Sequence, residues 1–219
     1  MDTSFWIERW QRKQIGFHQP DINPYLQAHW SQLGVTNGSV FVPLCGKSRD
    51  MQWLHSLGHA VIGVEVSRQA VSEFFAELQI EPQVTQASRF ELWQAPGYQL
   101  LCGDFFALQP EDLQAVNAVF DRAALIALPS ELRQRYIEKL RAVLPTRVST
   151  LLVAMTYPQQ QMSGPPFAVD EAEVRSLYAP YKVDKLEDVD VLVQPENARF
   201  KERGVKSMSE QVYRISAIN

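Results

Sequence analysis

The stretch VFVPLCGKSRDMQWL, Val40 to Leu54, joins an apolar run to Gly46, Lys47 and Ser48 and then to a helical pattern. Strand, tight turn and helix in that order open a ligand-binding βαβ unit, and the turn decides which kind. A phosphate-binding loop needs a first glycine five residues before the second, so that the backbone wraps a β-phosphate. Five residues before Gly46 stands Phe41, in the middle of the apolar run. The dinucleotide fingerprint G-x-G-x-x-G fails too, because PLCGKSRD supplies Gly46 alone. One glycine allows one close approach of backbone to ligand, which suits a ligand without a pyrophosphate.

The next strand, AVIGVEV, brings Glu65 to its end, 22 residues beyond Pro43. An acidic group about 20 residues after the turn meets ribose hydroxyls in folds of this kind. Asp104 in CGDFF ends a third strand on the same rim. An adenosine without phosphates, held by a ribose-binding acid beside a glycine-poor turn, points to S-adenosylmethionine. A nicotinamide dinucleotide is the competing ligand, disfavoured by the single glycine.

Outward from this unit the chain alternates short β-branched runs with helix-length patterns. SVFVPL, AVIGVEV, YQLLCGDFF, AVFDRAAL and VSTLLVAMTYP read as strands. DMQWLHSLG, SRQAVSEFFAELQI (Ser67 as N-cap) and PSELRQRYIEKLRAVL read as helices, with PEDLQAVN a short helix or turn. This alternation predicts an α/β fold with a mainly parallel sheet covered on both faces. YKVDKLEDVDVLV and SEQVYRISAI read as a closing hairpin with no clear helix in NARFKERGVKSM between them. It puts an antiparallel strand at or near the sheet edge. The loop YPQQQMSGPPFAVDEAE reads as the most mobile internal segment and a place for binding residues. The expected organisation is a single domain over 1–219, with residues 1–35 as an arm and helix over the site and 36–219 as the core.

A net charge of −4 gives no basic face for nucleic acid. No apolar run approaches the roughly 20 residues that span a bilayer, and MDTSFWIERWQRK lacks a signal peptide's pattern. Cys45 and Cys102 read as small core residues of a reduced, cytoplasmic protein. His55 and His59 are four apart, but no third ligand joins them and Gly58 intervenes, so no metal site is expected.

Beyond these readings, FWIERWQRKQIGFHQ, VFVPLCGKSRDMQWL, GVEVS, FDRAAL and RFKERG together resemble the bacterial thiopurine S-methyltransferase family, from the N-terminal arm to the tail. The resemblance implies a Rossmann-like class I methyltransferase fold, with a seven-stranded sheet and helices on both sides. It implies S-adenosylmethionine as donor and a small-molecule thiol, thione or other chalcogen as acceptor. As cofactor contacts, Trp6 and Trp10 then come from the arm that closes over the site, Leu44 and Gly46 line the turn, and Glu65 holds the ribose. Asp104 and Phe105 flank the adenine, and Arg122 reaches toward the methionine end. On the acceptor side Phe17 stacks on the ring, with His18 beside it and Arg122 and Arg203 near polar atoms. Lys47 is expected to face solvent.

Each of these has a plainer reading. Trp6 and Trp10 fit a core-facing helical stripe, and Arg122 fits a surface ion pair with Asp121. A soft sulfur nucleophile needs no dedicated base, and none is assigned. The implied activity is methylation of aromatic or heterocyclic thiols such as 6-mercaptopurine, by a monomer. Selenium or tellurium methylation, nicotinamide oxidoreduction and a ligand-sensing role are the alternatives.

Overall fold

The structure, a computed structural model, describes residues 3–218, and of residue 196 the backbone alone. Nine strands form one sheet: β1 (Ser39–Val42), β2 (Ala60–Glu65), β3 (Gln83–Gln86), β4 (Glu91–Ala95), β5 (Tyr98–Cys102), β6 (Val116–Arg122), β7 (Ser149–Thr156), β8 (Lys182–Asp190) and β9 (Ser209–Ser216). Their order is β3-β4-β5-β2-β1-β6-β7-β9-β8. The five central strands are parallel neighbours, and β9 lies antiparallel between β7 and β8.

The helices are α1 (Thr3–Gln11), α2 (Pro24–His29), α3 (Asp50–Ser56), α4 (Arg68–Leu78), α5 (Pro110–Leu113), α6 (Ser130–Val143), α7 (Glu171–Leu177) and α8 (Ala198–Glu202). Their apolar faces cover both sides of the sheet. Phe41 packs into one core with Tyr136 and Ile137 of α6, while Val40 and Val42 pack into the other with Leu26, Met51 and Phe74. The period-2 alternation of a strand thereby feeds both layers. Ser67 caps α4 as its sequence position predicts, its side chain accepting from the Ala70 amide.

The expected seven strands are present, and β3 and β4 add an antiparallel pair beyond β5. This pair is illegible as sequence because all four β3 residues are exposed and β4 buries Trp93 alone. NARFKERGVKSM, expected without a helix, carries the short α8, which buries Phe200. The loop after β7 is tied down rather than loose. Tyr157 donates through its hydroxyl to the Pro166 carbonyl at 2.7 Å, and Gln159 Oε1 accepts from the Ala168 amide at 2.8 Å.

At the end of β6 the chain turns on Asp121, which is fully buried. Its carboxylate accepts from the Tyr136 hydroxyl at 2.7 Å and the Leu125 amide at 3.2 Å. Burial pushes its pKa up from 3.8 to about 6, against the pull of those donors. The folded state therefore holds this proton to higher pH than the unfolded chain does. Stability is lost as pH rises from about 4 to about 6, by roughly 2–3 kcal/mol. Asp121→Asn removes that dependence. In urea unfolding at pH 4.5 and pH 7, the advantage of the wild type over Asp121→Asn should shrink at the higher pH. An advantage that grows would show that the hydrogen bonds outweigh burial.

Candidate active site

A cavity of about 800 Å³ opens where β1, β2, β6 and β7 end, with the N-terminal arm over it. Its floor begins at the turn after β1. Leu44 (φ 46°) and Gly46 (φ 53°) both adopt the left-handed region, which Leu44 does against its steric preference. The Cys45 amide donates to the Val64 carbonyl at 3.0 Å, holding the turn against β2. A Cβ on Gly46 would sit 3.1 Å from the Trp10 ring, so this glycine lets the arm come down onto the turn.

Glu65 fastens the same turn to the start of α4. One carboxylate oxygen accepts from the Gly46 amide at 2.9 Å, the other from the Ser67 amide at 2.7 Å. The residue is 5% exposed, and burial raises its pKa despite those amides. Each oxygen keeps a lone pair for a further donor.

Over this floor Trp6, Trp10 and Phe17 form one aromatic group. Phe17 meets Trp6 at 5.5 Å and Trp10 at 5.7 Å, both edge to face. These rings line the cavity, so the stripe on α1 serves as a roof. His18 lines it beside them, and burial followed by the Lys47 charge holds its pKa below the ordinary 6.5.

Arg122 reaches the cavity from the end of β6, but it does not pair with Asp121. Its Nε donates to Asp50 Oδ2 at 2.7 Å and its Nη2 to Ser48 Oγ at 3.0 Å. Asp50 is 1% exposed, and its other oxygen accepts from the Asn23 amide at 2.8 Å. Asn23 in turn caps α2 by accepting from the Tyr25 and Leu26 amides. One buried carboxylate thus ties the arm, the turn after β1 and the end of β6 together.

Three sequence expectations need correction or restriction. Lys47 does not face solvent: its ammonium closes on Glu73 at 2.7 Å and Glu77 at 2.6 Å, both on α4. Phe105 is buried in the core against Tyr136, and Asp104 spends a carboxylate oxygen on the Phe106 amide; neither lines the cavity. Arg203 does line it, at an exposed position on the rim.

Among the described residues no group of His, Cys, Asp and Glu is placed to hold a metal. His59 instead accepts from the Trp30 indole at 3.1 Å. Nor is any helix among them long and apolar enough to cross a membrane. Sequence reasoning missed Asp50, Arg199 and Pro165–Pro166 as lining residues. They come from three segments far apart in the chain, and no local pattern marks them.

A family model described as Thiopurine S-methyltransferase matches residues 1–217. Among similar proteins, a thiopurine S-methyltransferase of Pseudomonas entomophila (strain L48) is 48% identical over 99% of this chain and 100% of its own. One of Pseudomonas aeruginosa (strain UCBPP-PA14) is 50% identical over 97% of this chain and 98% of its own. Among solved structures, a SAM-dependent methyltransferase from Anabaena variabilis aligns with TM-score 0.65 at 12% identity, covering 99% of this chain and 95% of that one. A Burkholderia thailandensis 1,6-didemethyltoxoflavin-N1-methyltransferase, solved with S-adenosylhomocysteine, aligns with TM-score 0.63 at 12% identity, over 98% of this chain and 87% of that one. The two structural likenesses establish the class I methyltransferase fold.

Proposed function

The chain belongs to the thiopurine S-methyltransferase family, and on that premise we infer that its cavity binds S-adenosylmethionine and an aromatic or heterocyclic thiol, and that it transfers a methyl group to the thiol sulfur. The observation that carries this reading is Glu65, a buried carboxylate aimed by two backbone amides beside a one-glycine turn. Its free lone pairs fit a pair of ribose hydroxyls, and the approach allowed by Gly46 fits a ligand without a pyrophosphate. The donor therefore suits the residues present. When bound, it supplies a sulfonium carrying an electrophilic methyl group.

The chain's own residues bind, orient and exclude water. Trp6, Trp10 and Phe17 cover the cavity with apolar surface, which keeps water from the reacting sulfur and offers a ring face to an aromatic acceptor. Leu44 and Gly46 set the position of the donor half. Arg122, held by Asp50 and Ser48, keeps its remaining N–H donors fixed in direction, so orientation comes from the fold. His18, with its pKa lowered, adds no charge near neutral pH. No side chain is needed as a base, because the acceptor is an acidic, soft thiol. The reading extends to a monomer in the cytoplasm, and the two free cysteines fit the reducing setting of that compartment.

Transfer of label from radiolabelled S-adenosylmethionine to 6-mercaptopurine tests this directly. Labelled product is expected; binding of S-adenosylhomocysteine without transfer would move the acceptor class elsewhere. In the same assay Arg203→Ala should raise the 6-mercaptopurine KM about tenfold, the loss of one charge-assisted hydrogen bond. An unchanged KM would remove Arg203 from the acceptor side.

A further inference from the structure

A second cavity, of about 610 Å³, lies where β7 ends and α6 and α7 begin. It shares a wall with the first. Met155 lines the first cavity and Thr156 the second; Pro165 and Pro166 line the first and Phe167 the second. Two backbone bonds stiffen that wall. The Phe167 amide donates to the Ile126 carbonyl at 2.7 Å, and the Val169 amide to the Met155 carbonyl at 2.8 Å.

Arg133 lines the second cavity and is 3% exposed. Helical side chains lean toward the helix start, and this one runs back past it: Nε donates to the Leu128 carbonyl at 2.9 Å. Nη1 closes on both Glu173 carboxylate oxygens at 2.6 Å. Nη2 has no partner among the described residues and is not sealed in the core, so it opens on the cavity. At the same place α6 lacks a side-chain cap at Pro129, which leaves the Ser130 and Glu131 amides without an acceptor.

A guanidinium N–H beside free amides of a helix start suits a carboxylate. A plain anion meets an adverse field, because Glu131, Asp170 and Glu173 outnumber Arg133 by two charges along the lining. A plain cation leaves the donors unmet. A ligand that carries both charges satisfies both conditions. Asp170 accepts from the Glu173 amide through Oδ1 at 2.8 Å, and its Oδ2 stays available to an ammonium. Pro129 and Phe167 add apolar surface.

We propose that this second cavity binds an apolar α-amino acid as its zwitterion, the carboxylate on Arg133 Nη2 and the start of α6 and the ammonium on Asp170. The occupant bears on the wall that carries Pro165 and Pro166, and so changes acceptor affinity in the first cavity. The effect on the acceptor rests on the S-methyltransferase reading; the binding does not.

Calorimetry with L-leucine tests the site, on protein saturated with S-adenosylhomocysteine so that the donor half of the first cavity is filled. Saturable binding is expected. N-acetyl-L-leucine has no ammonium and L-leucinamide no carboxylate, and each should bind at least about tenfold more weakly, the loss of one charge-assisted hydrogen bond. Asp170→Asn should close most of the gap between L-leucine and N-acetyl-L-leucine, which a merely structural role would leave open. No saturable heat from L-leucine, or equal affinity for the three ligands, would overturn the zwitterion site. In the methyl-transfer assay, saturating L-leucine should change the 6-mercaptopurine KM at least about fivefold. An unchanged KM with L-leucine bound would overturn the coupling between the cavities. Absence of methyl transfer in either condition would count against the S-methyltransferase reading instead, with the calorimetric result still deciding the site.

Discussion

Glu65→Ala weakens S-adenosylhomocysteine binding by at least about 100-fold, measured by calorimetry. Two hydrogen bonds from ribose to a carboxylate contribute about 1.5–3 kcal/mol each, and 1.4 kcal/mol is a factor of ten. The same change leaves the Gly46 and Ser67 amides without their acceptor, so the turn that shapes the donor half loses its fastening. Glu65→Gln discriminates between the two contributions. A carboxamide has one oxygen, so one of the two amides must face an NH2 group, and binding should still fall at least about tenfold. Affinity within about threefold of wild type for both variants would dissociate Glu65 from the donor.

The second large effect concerns stability. Asp50→Ala should lower the melting temperature by about 10 °C, because breaking a buried ion pair from one side costs about 3–5 kcal/mol and each kcal/mol shifts a domain of this size by roughly 2–4 °C. Asp50 receives three donors from three segments: the Asn23 amide, the Ser48 hydroxyl and Arg122 Nε. Without it the Arg122 guanidinium is a 12%-exposed cation with no carboxylate partner. Asp50→Asn keeps one acceptor oxygen and should lose about half as much. Differential scanning fluorimetry decides the matter, and a shift under about 3 °C for Asp50→Ala would mean that solvent replaces the pair without cost.

The contrast between Glu65 and Asp50 shows what a sequence displays. Glu65 was legible because it stands at a fixed offset from a turn and at the end of an apolar strand, so distance along the chain stood for distance in space. Ser67 was legible for the same reason, as a cap just before a helical pattern. Asp50 was equally close to the turn, but its role depends on Arg122, 72 residues away. Lys47 misled because a lysine next to a glycine turn reads as solvated, whereas two acids on α4, beyond the intervening α3 and β2, face it. β3 and β4 were hidden because their pairing is backbone-driven and their side chains are mostly in water. Family likeness assigns Phe105 to the adenine, whereas its packing on Tyr136 depends on a residue distant in the chain.

On the proposed function the cavity divides into two halves of different origin. Its donor half is made of strand ends locked by Glu65 and by the Cys45 amide, positions where a change in length would shift the sheet register. Its acceptor half is contributed by the arm, the loop holding Pro165–Pro166 and the segment around α8. Connecting segments tolerate insertion and replacement far better than paired strands do. On the proposed reading, the segments that meet the acceptor can be altered at less cost to the fold than the strand ends that meet the donor. The same partition makes the protein a natural scaffold for grafting new acceptor loops onto an unaltered methyl-transfer platform.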